Sequence, residues 1–212
     1  MKYSTKNSSK HRSRGFTIIE LLIATTVFSM VLLVFLTAFL RISQLFYKGV
    51  NLSNTQEAAR EVLQNISNDI QFFQAAPYVY NDQNYFCIGN HRYTYNLGTQ
   101  YDPTVSGSYG IAEENLASCT SPSARPVPSD PSKYQELLEP GMQVNKLDVS
   151  CVNQRCLVNI HLVFYGGDNS VLVSPSGITP AYLAYDAQCS GPPNSSQYCA
   201  TADYSSTILQ RF

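Results

Sequence analysis

Residues 14–24 read Arg-Gly-Phe-Thr-Ile-Ile-Glu-Leu-Leu-Ile-Ala, and the character of the chain changes sharply across them. Residues 1–15 carry five basic side chains and no acid, whereas residues 16–40 hold 19 apolar side chains and one charge, Glu20. A helix of 25 residues rises about 37 Å, and about 20 residues cross a bilayer. Residues 16–40 are therefore predicted to form a membrane-spanning helix, with the basic segment in the cytoplasm and the rest outside.

The order of residues at this junction is more specific than that of a general membrane anchor. A basic segment ends in Gly15, Phe16 follows, and Glu20 interrupts an otherwise apolar run. This order resembles the prepilin signature of type IV pilins and type II secretion pseudopilins. The resemblance implies that prepilin peptidase removes residues 1–15 as a leader by cleaving after Gly15, and that the new terminus, Phe16, is N-methylated. It also implies a structural subunit rather than an enzyme.

Glu20 needs a physical explanation, because an acid inside a membrane helix costs about 2.5–3.5 kcal/mol at the bilayer centre and less near its edge. In the pilin family this carboxylate is thought to pair with the N-terminal amine of a neighbouring subunit. The resemblance therefore gives Glu20 the role of an assembly residue, with Phe16 as its partner. A methylated amine keeps its positive charge, so methylation does not abolish the pair. The alternative is that Glu20 only extends its carboxylate to the lipid headgroups.

Residues 41–76 continue the helical pattern beyond the membrane. Apolar side chains recur three or four residues apart, at Ala59, Val62, Ile66, Ile70 and Phe73. Such a stripe is typical of an amphipathic helix, and Pro77 is predicted to end it. Weaker helix formers predict a loosened turn at residues 49–54. The segment also resembles the J-type minor pseudopilins of type II secretion and the W-type minor pilins, at Ala59, Arg60, Leu63, Ile66, Asp69 and Ile70.

Residues 77–212 are rich in Tyr, Ser, Asn, Gly and Pro, and short runs within them alternate as β-strands do. The clearest runs are residues 144–149 and 157–165. Together with the resemblance, they predict an α+β, pilin-like fold, in which the outer half of a long N-terminal helix packs on an antiparallel β-sheet head. Residues 99–135 have few apolar side chains, which predicts a long surface loop there.

All six cysteines lie in this head, and an even number of cysteines in an exported domain is typical of a disulfide framework. Several pairings are possible. Proximity along the chain favours Cys87–Cys119, Cys151–Cys156 and Cys189–Cys199. The third pair closes a loop similar to the disulfide-bound C-terminal loop of many type IV pilins. The cysteine spacing lacks paired Cys-x-x-Cys motifs, so no metal site is predicted.

The head offers no set of residues that predicts catalysis or a cofactor. His91 and His161 are isolated in the sequence, which favours surface positions for both. No nucleophile motif such as Gly-x-Ser-x-Gly is present. Residues 77–212 contain six Lys/Arg and eleven Asp/Glu. Because phosphate attraction needs a basic surface, nucleic acid is not an expected partner.

Three hypotheses remain. In the first, the chain is a minor pilin or pseudopilin, a structural subunit in the tip or initiation complex of a type IV pilus-like filament. It would contact other subunits through residues 16–40, use the pilus assembly platform, and pass from the inner (cytoplasmic) membrane into a surface filament. In the second, its Tyr-rich head is an adhesin that the pilus displays. In the third, it is a signal-anchored surface protein. Pili, secretion pseudopili and competence filaments share the signature, which does not separate these machines.

Overall fold

The computed structural model of the protein describes residues 15–73, 77–80, 84–116, 128, 132–167, 169–190 and 198–210. The basic leader residues up to Arg14 and the predicted disulfide partner Cys119 lie outside these ranges. Contacts divide the chain into two compact units, residues 1–43 and residues 44–212. The first unit contains the apolar N-terminal part of a helix, and the second contains the β-sheets.

Helix α1 comprises Ile18–Phe72 and belongs to both units. It is continuous through residues 49–54, so the predicted loosened turn there is wrong. A single Gly in a helix costs only about 1 kcal/mol relative to Ala, and extending a helix that already exists is far easier than starting a new one. Helix formation on both sides therefore carries α1 through Gly49.

One stripe of α1 is buried in the second unit. Ala59, Val62, Ile66 and Ile70 have no exposed surface, which confirms four of the five predicted stripe positions. Phe73 is wrong as a fifth, because 37% of its surface is exposed and it follows the last helical residue. The stripe shares one apolar core with side chains from two antiparallel sheets. This core is what fixes the outer part of the helix in the head.

The first sheet has five antiparallel strands in chain order: β1 (Tyr78–Tyr80), β2 (Tyr85–Ile88), β3 (His91–Tyr95), β4 (Ile111–Asn115) and β5 (Tyr134–Glu136). Strands β4 and β5 overlap residues 99–135, where a surface loop was predicted. That prediction is wrong for β4, because Ile111 and Ala112 have no exposed surface. Only two apolar residues lead this strand, which is too short a run to stand out in the sequence.

The second sheet has the order β10 (Cys199–Leu209), β7 (Arg155–Tyr165), β6 (Met142–Val152), and all its pairs are antiparallel. The β6–β7 hairpin contains both strand runs that the sequence predicts. Its turn is short, since only Asn153 and Gln154 lie between the two strands, both with positive φ. Two consecutive positive φ angles are typical of the type I′ turn, whose twist suits a β-hairpin.

The outer face of the second sheet is covered by a separate layer. This layer contains the short pair β8 (Leu172–Val173) and β9 (Gln188–Cys189), with 3₁₀ helices at Asn169–Val171 and Ala181–Leu183. Val163 and Tyr165 of β7 pack against it in a second apolar cluster. Strand β7 is therefore buried on both faces. The whole arrangement, a long N-terminal helix with antiparallel sheets and disulfides, confirms the predicted α+β, pilin-like fold.

Candidate functional site

Gly15, Phe16 and Thr17 precede the first helical residue, Ile18. Phe16 is 88% exposed. A Cβ added to Gly15 would meet nothing within 4 Å, so the described residues leave this peptide sterically open. Gly15 and Phe16 therefore lie outside the helix, and no described residue crowds Gly15.

Thr17 and Glu20 form a reciprocal cap on the N-terminus of α1. The Glu20 backbone N–H donates to Thr17 Oγ1 over 3.3 Å, and the Thr17 backbone N–H donates to Glu20 Oε2 over 2.9 Å. The Thr17 hydroxyl also donates to Oε2, at 2.9 Å. This is the capping box, in which Thr at the cap and Glu three residues later satisfy two helix N–H groups that have no partner within the helix.

The other polar side chains of residues 16–40 satisfy themselves within the helix. Thr25, Thr26, Ser29 and Thr37 each donate their hydroxyl to a backbone carbonyl three or four residues earlier, over 2.8–3.0 Å. In a lipid environment such internal bonds hide the hydroxyls from the hydrocarbon. The Glu20 carboxylate is different, because it carries a charge and its Oε1 accepts no hydrogen bond from any described residue.

Apolar side chains of α1 remain exposed from Ile18 as far as Leu52. Among the described residues, α1 is the one helix long and apolar enough to cross a membrane. The exposed apolar surface extends past residue 40, since Leu45, Phe46 and Tyr47 are each more than half exposed. A surface of this kind marks a membrane-contacting or protein-contacting segment.

The head residues that the sequence singles out lie in separate places. Cys151 pairs with Cys156 across the β6–β7 hairpin, and Cys189 pairs with Cys199, joining β9 to β10. Cys87 is also disulfide-bonded, and its predicted partner lies outside the described residues. These bonds fasten the head and bring no reactive groups together.

The two histidines are not surface residues, so that prediction is wrong. His161 is only 5% exposed, and its Nε2 lies 2.9 Å from the Ala187 carbonyl. It is buried because the layer that contains residues 169–190 covers this face of β7, which the strand's own alternation cannot reveal. His91 is largely buried between Asp69 of α1 and Glu113 of β4.

Two features of the structure were not predicted from the sequence: the capping box and the cluster around His91. The capping box had a local signal, since Thr17 and Glu20 have the required spacing. The cluster around His91 had none, because Asp69, His91 and Glu113 are brought together only by the packing of α1 on the first sheet.

The comparisons with known proteins agree with the N-terminal geometry. A family model described as the prokaryotic N-terminal methylation motif matches residues 10–36. No curated protein and no solved structure matches the chain. The matched range includes Gly15, Phe16 and Glu20, together with most of the exposed apolar run. The N-terminal segment therefore matches the prokaryotic N-terminal methylation motif, which supports its similarity to the prepilins of type IV pilins and pseudopilins.

Proposed function

We propose that the chain is a minor pilin or pseudopilin, a structural subunit in the tip or initiation complex of a type IV pilus-like filament. Prepilin peptidase cleaves it after Gly15, and the new terminus, Phe16, is N-methylated. The observation that carries this proposal is the methylation motif followed by an apolar helix that nothing in the described chain covers. The resemblance of residues 59–70 to J- and W-type subunits supports the minor role.

In this proposal, the apolar part of α1 is covered by lipid before assembly and by the helices of other subunits afterwards. Lipid tails are as apolar as Leu side chains, so moving the helix between the two environments yields little hydrophobic free energy. Close packing of the apolar side chains together with polar pairing then decides which helices associate and in which register. Glu20 suits this task, because the hydroxyls around it are already satisfied within the helix.

The partner of Glu20 in this proposal is the Phe16 amine of a neighbouring subunit. The Oε1 atom, which accepts no hydrogen bond from a described residue, can accept one from that cationic amine while Oε2 continues to cap α1. The cap and the intersubunit pair are therefore compatible. Apolar residues beyond the membrane-spanning part, such as Leu45 and Phe46, extend the surface available to neighbouring subunits.

An adhesin head is the second candidate function, and exposed aromatic residues favour it. Tyr78, Tyr185 and Tyr198 are each at least half exposed, and tyrosine is enriched in protein-binding surfaces. A subunit of a type II secretion pseudopilus is the third candidate, supported by the J-type resemblance. If filaments that lack this chain bind target cells as well as complete filaments do, the adhesin candidate is excluded.

The proposal is tested by mass spectrometry of the mature N-terminus in cells with active prepilin peptidase. We expect the chain to begin with N-methylated Phe16, and Gly15→Leu to retain the leader and stay out of filaments. Gly49→Leu is the matched control, because a Cβ at Gly49 also meets nothing within 4 Å and Leu favours helix. It should be processed normally.

A mature wild-type chain that still begins at Met1 would contradict the proposal and favour an ordinary anchored surface protein. Identifying the subunits that co-purify with the mature chain tests which machine it serves. Pilus subunits would support the pilus assignment, and secretion pseudopilins would support the type II candidate.

A further inference from the structure

Three potential metal ligands from three different elements meet at the C-terminal end of α1. His91 Nδ1 on β3 lies 2.9 Å from Asp69 Oδ2 on α1 and 2.8 Å from Glu113 Oε1 on β4. All three ligand atoms lie within 4.8 Å of one another. This cluster plays no part in the proposed processing or assembly of the N-terminal segment.

Backbone pairing explains why the cluster forms. Tyr93 lies opposite Glu113, and His91 lies opposite Asn115, in the antiparallel β3–β4 pair. Since side chains alternate along a strand, His91 and Glu113 share the face of the sheet that carries Tyr93. Tyr93 points towards α1 on that face, because its hydroxyl donates to Asp69 over 2.6 Å.

The position of His91 Nδ1 is the observation that points to a ligand. This atom has essentially no exposed surface, and among the described residues no acceptor lies in line with its N–H. Both nearby carboxylate oxygens are close, but a protonated Nδ1 has a single hydrogen and cannot make a full hydrogen bond to each of them. An unprotonated Nδ1 would instead direct a lone pair into the space between two carboxylates, where a bound cation would satisfy all three groups.

Residues around Asp69 and His91 hold these two side chains in place, as the residues around the ligands of a metal site do. The Tyr93 hydroxyl fixes the orientation of the Asp69 carboxylate. The Phe73 ring lies 4.9 Å from the imidazole, centroid to centroid. Phe73 is itself packed against Gly89, where any Cβ would collide with its ring. Such outer partners orient ligands and exclude water.

The charge of the cluster also favours a cation. Among the described residues, no Lys or Arg forms an ion pair with Asp69 or Glu113, and the three side chains are only 15–20% exposed. Arg92, the nearest basic residue along β3, is engaged with Glu114 instead.

We propose that Asp69, His91 and Glu113 bind one divalent first-row transition-metal ion that ties the end of α1 to the first sheet. Metal–ligand bonds of about 2.1 Å would make the two His91–carboxylate pairs, whose atoms are 2.8 and 2.9 Å apart, subtend about 84–87° at the ion. Such angles correspond to neighbouring positions of an octahedron. A mixed imidazole and carboxylate set suits ions such as Mn²⁺ and Zn²⁺.

The test uses the full chain, purified in detergent and stripped of metal with a chelator that is then removed. Zn²⁺ alone is titrated in competition with a chromogenic chelator, and Mn²⁺ alone is followed by electron paramagnetic resonance. We expect saturation at one equivalent for at least one of these ions, with a rise in the melting temperature of the head. If neither ion binds saturably, Asp69, His91 and Glu113 form only a polar contact between α1 and the first sheet, and the proposal is overturned.

Variants locate the bound ion. Glu113→Gln should weaken binding at least tenfold, and Tyr93→Phe should weaken it about 10- to 100-fold by releasing Asp69. Glu114→Gln is the matched control, because it removes the neighbouring carboxylate of the same strand, and its affinity should stay within twofold of wild type. If Glu113→Gln does not fold, Asp69→Asn replaces it. Equal binding by these variants and the control would overturn the assignment.

Discussion

The double role of Glu20 can be separated by two substitutions at the start of α1. Glu20→Gln removes the charge but keeps a side chain that also completes a capping box. Thr17→Ala removes the cap hydroxyl, which lies 2.9 Å from Oε2, but keeps the charge. If charge pairing drives assembly, Glu20→Gln should be defective and Thr17→Ala nearly normal. If helix capping is what matters, the order of the two variants is reversed.

The expected magnitudes differ enough to measure. Losing a Thr cap costs about 0.5–2 kcal/mol, which reduces helix formation by no more than about thirtyfold. Removing one partner of a buried ion pair costs about 3–5 kcal/mol, because the other charge is left unpaired. In a filament, Glu20→Gln would leave the neighbouring Phe16 amine without its counter-charge. Incorporation should then fall by more than about a hundredfold.

The assay compares the membrane pool with the sheared filament fraction by quantitative immunoblot. Both variants should insert into the membrane as wild type does, since residues 21–40 are unchanged. Glu20→Ala, which loses both cap and charge, should be at least as defective in filaments as Glu20→Gln. Normal incorporation of Glu20→Gln, or an equal defect in Thr17→Ala, would refute the pairing role.

The head provides two further tests, both by chemical denaturation of the full chain in detergent. Ile66→Ala should lower the free energy of unfolding by about 2–5 kcal/mol, because Ile66 has no exposed surface and its truncation leaves a cavity. Gln64→Ala, at an exposed position of the same helix, should change the free energy of unfolding little. If the two substitutions had equal effects, packing of the helix would not be the source of stability. Burial raises the pKa of Glu136. Backbone N–H groups that donate to its carboxylate, such as the N–H of Ile111, lower the pKa but do not outweigh burial. An acid whose pKa is raised by folding contributes most to the stability of the fold when it is protonated, which for Glu136 means at a pH below the ordinary pKa of 4.5. That contribution is lost as the pH rises through the pKa of the folded state. The stability of wild type relative to Glu136→Gln should therefore fall as pH rises from 4, and a rise would contradict the stated cause.

Local patterns were sufficient where the determining interactions lie close together in sequence. The junction at Gly15 and Phe16 could be recognised because its signal is contiguous. The buried stripe of α1 follows from helical spacing alone, and the β6–β7 hairpin follows from alternation on both sides of a short turn. In each case neighbouring residues set the structure, so the order of residue types carries the information.

Other features depend on residues that are distant in sequence. Alternation along β7 predicted one buried face, yet His161 is buried because residues 169–190 contribute to a layer over the other face. Residues 111–115 form a strand because β3 and β5 pair with them, not because their own composition demands it. Phe73 leaves the stripe because α1 ends one residue earlier.

The sequence by itself therefore determined an apolar helix long enough to cross a membrane, with one acid near its start, an amphipathic continuation and a β-rich, disulfide-containing head. Only the tertiary structure decided which polar side chains meet, above all Asp69, His91 and Glu113, which come from a helix and two strands. The physical reason is the range of the interactions. Helical and strand periods are set by bonds between near neighbours, whereas the position of a side chain in a cluster is set by how whole elements pack.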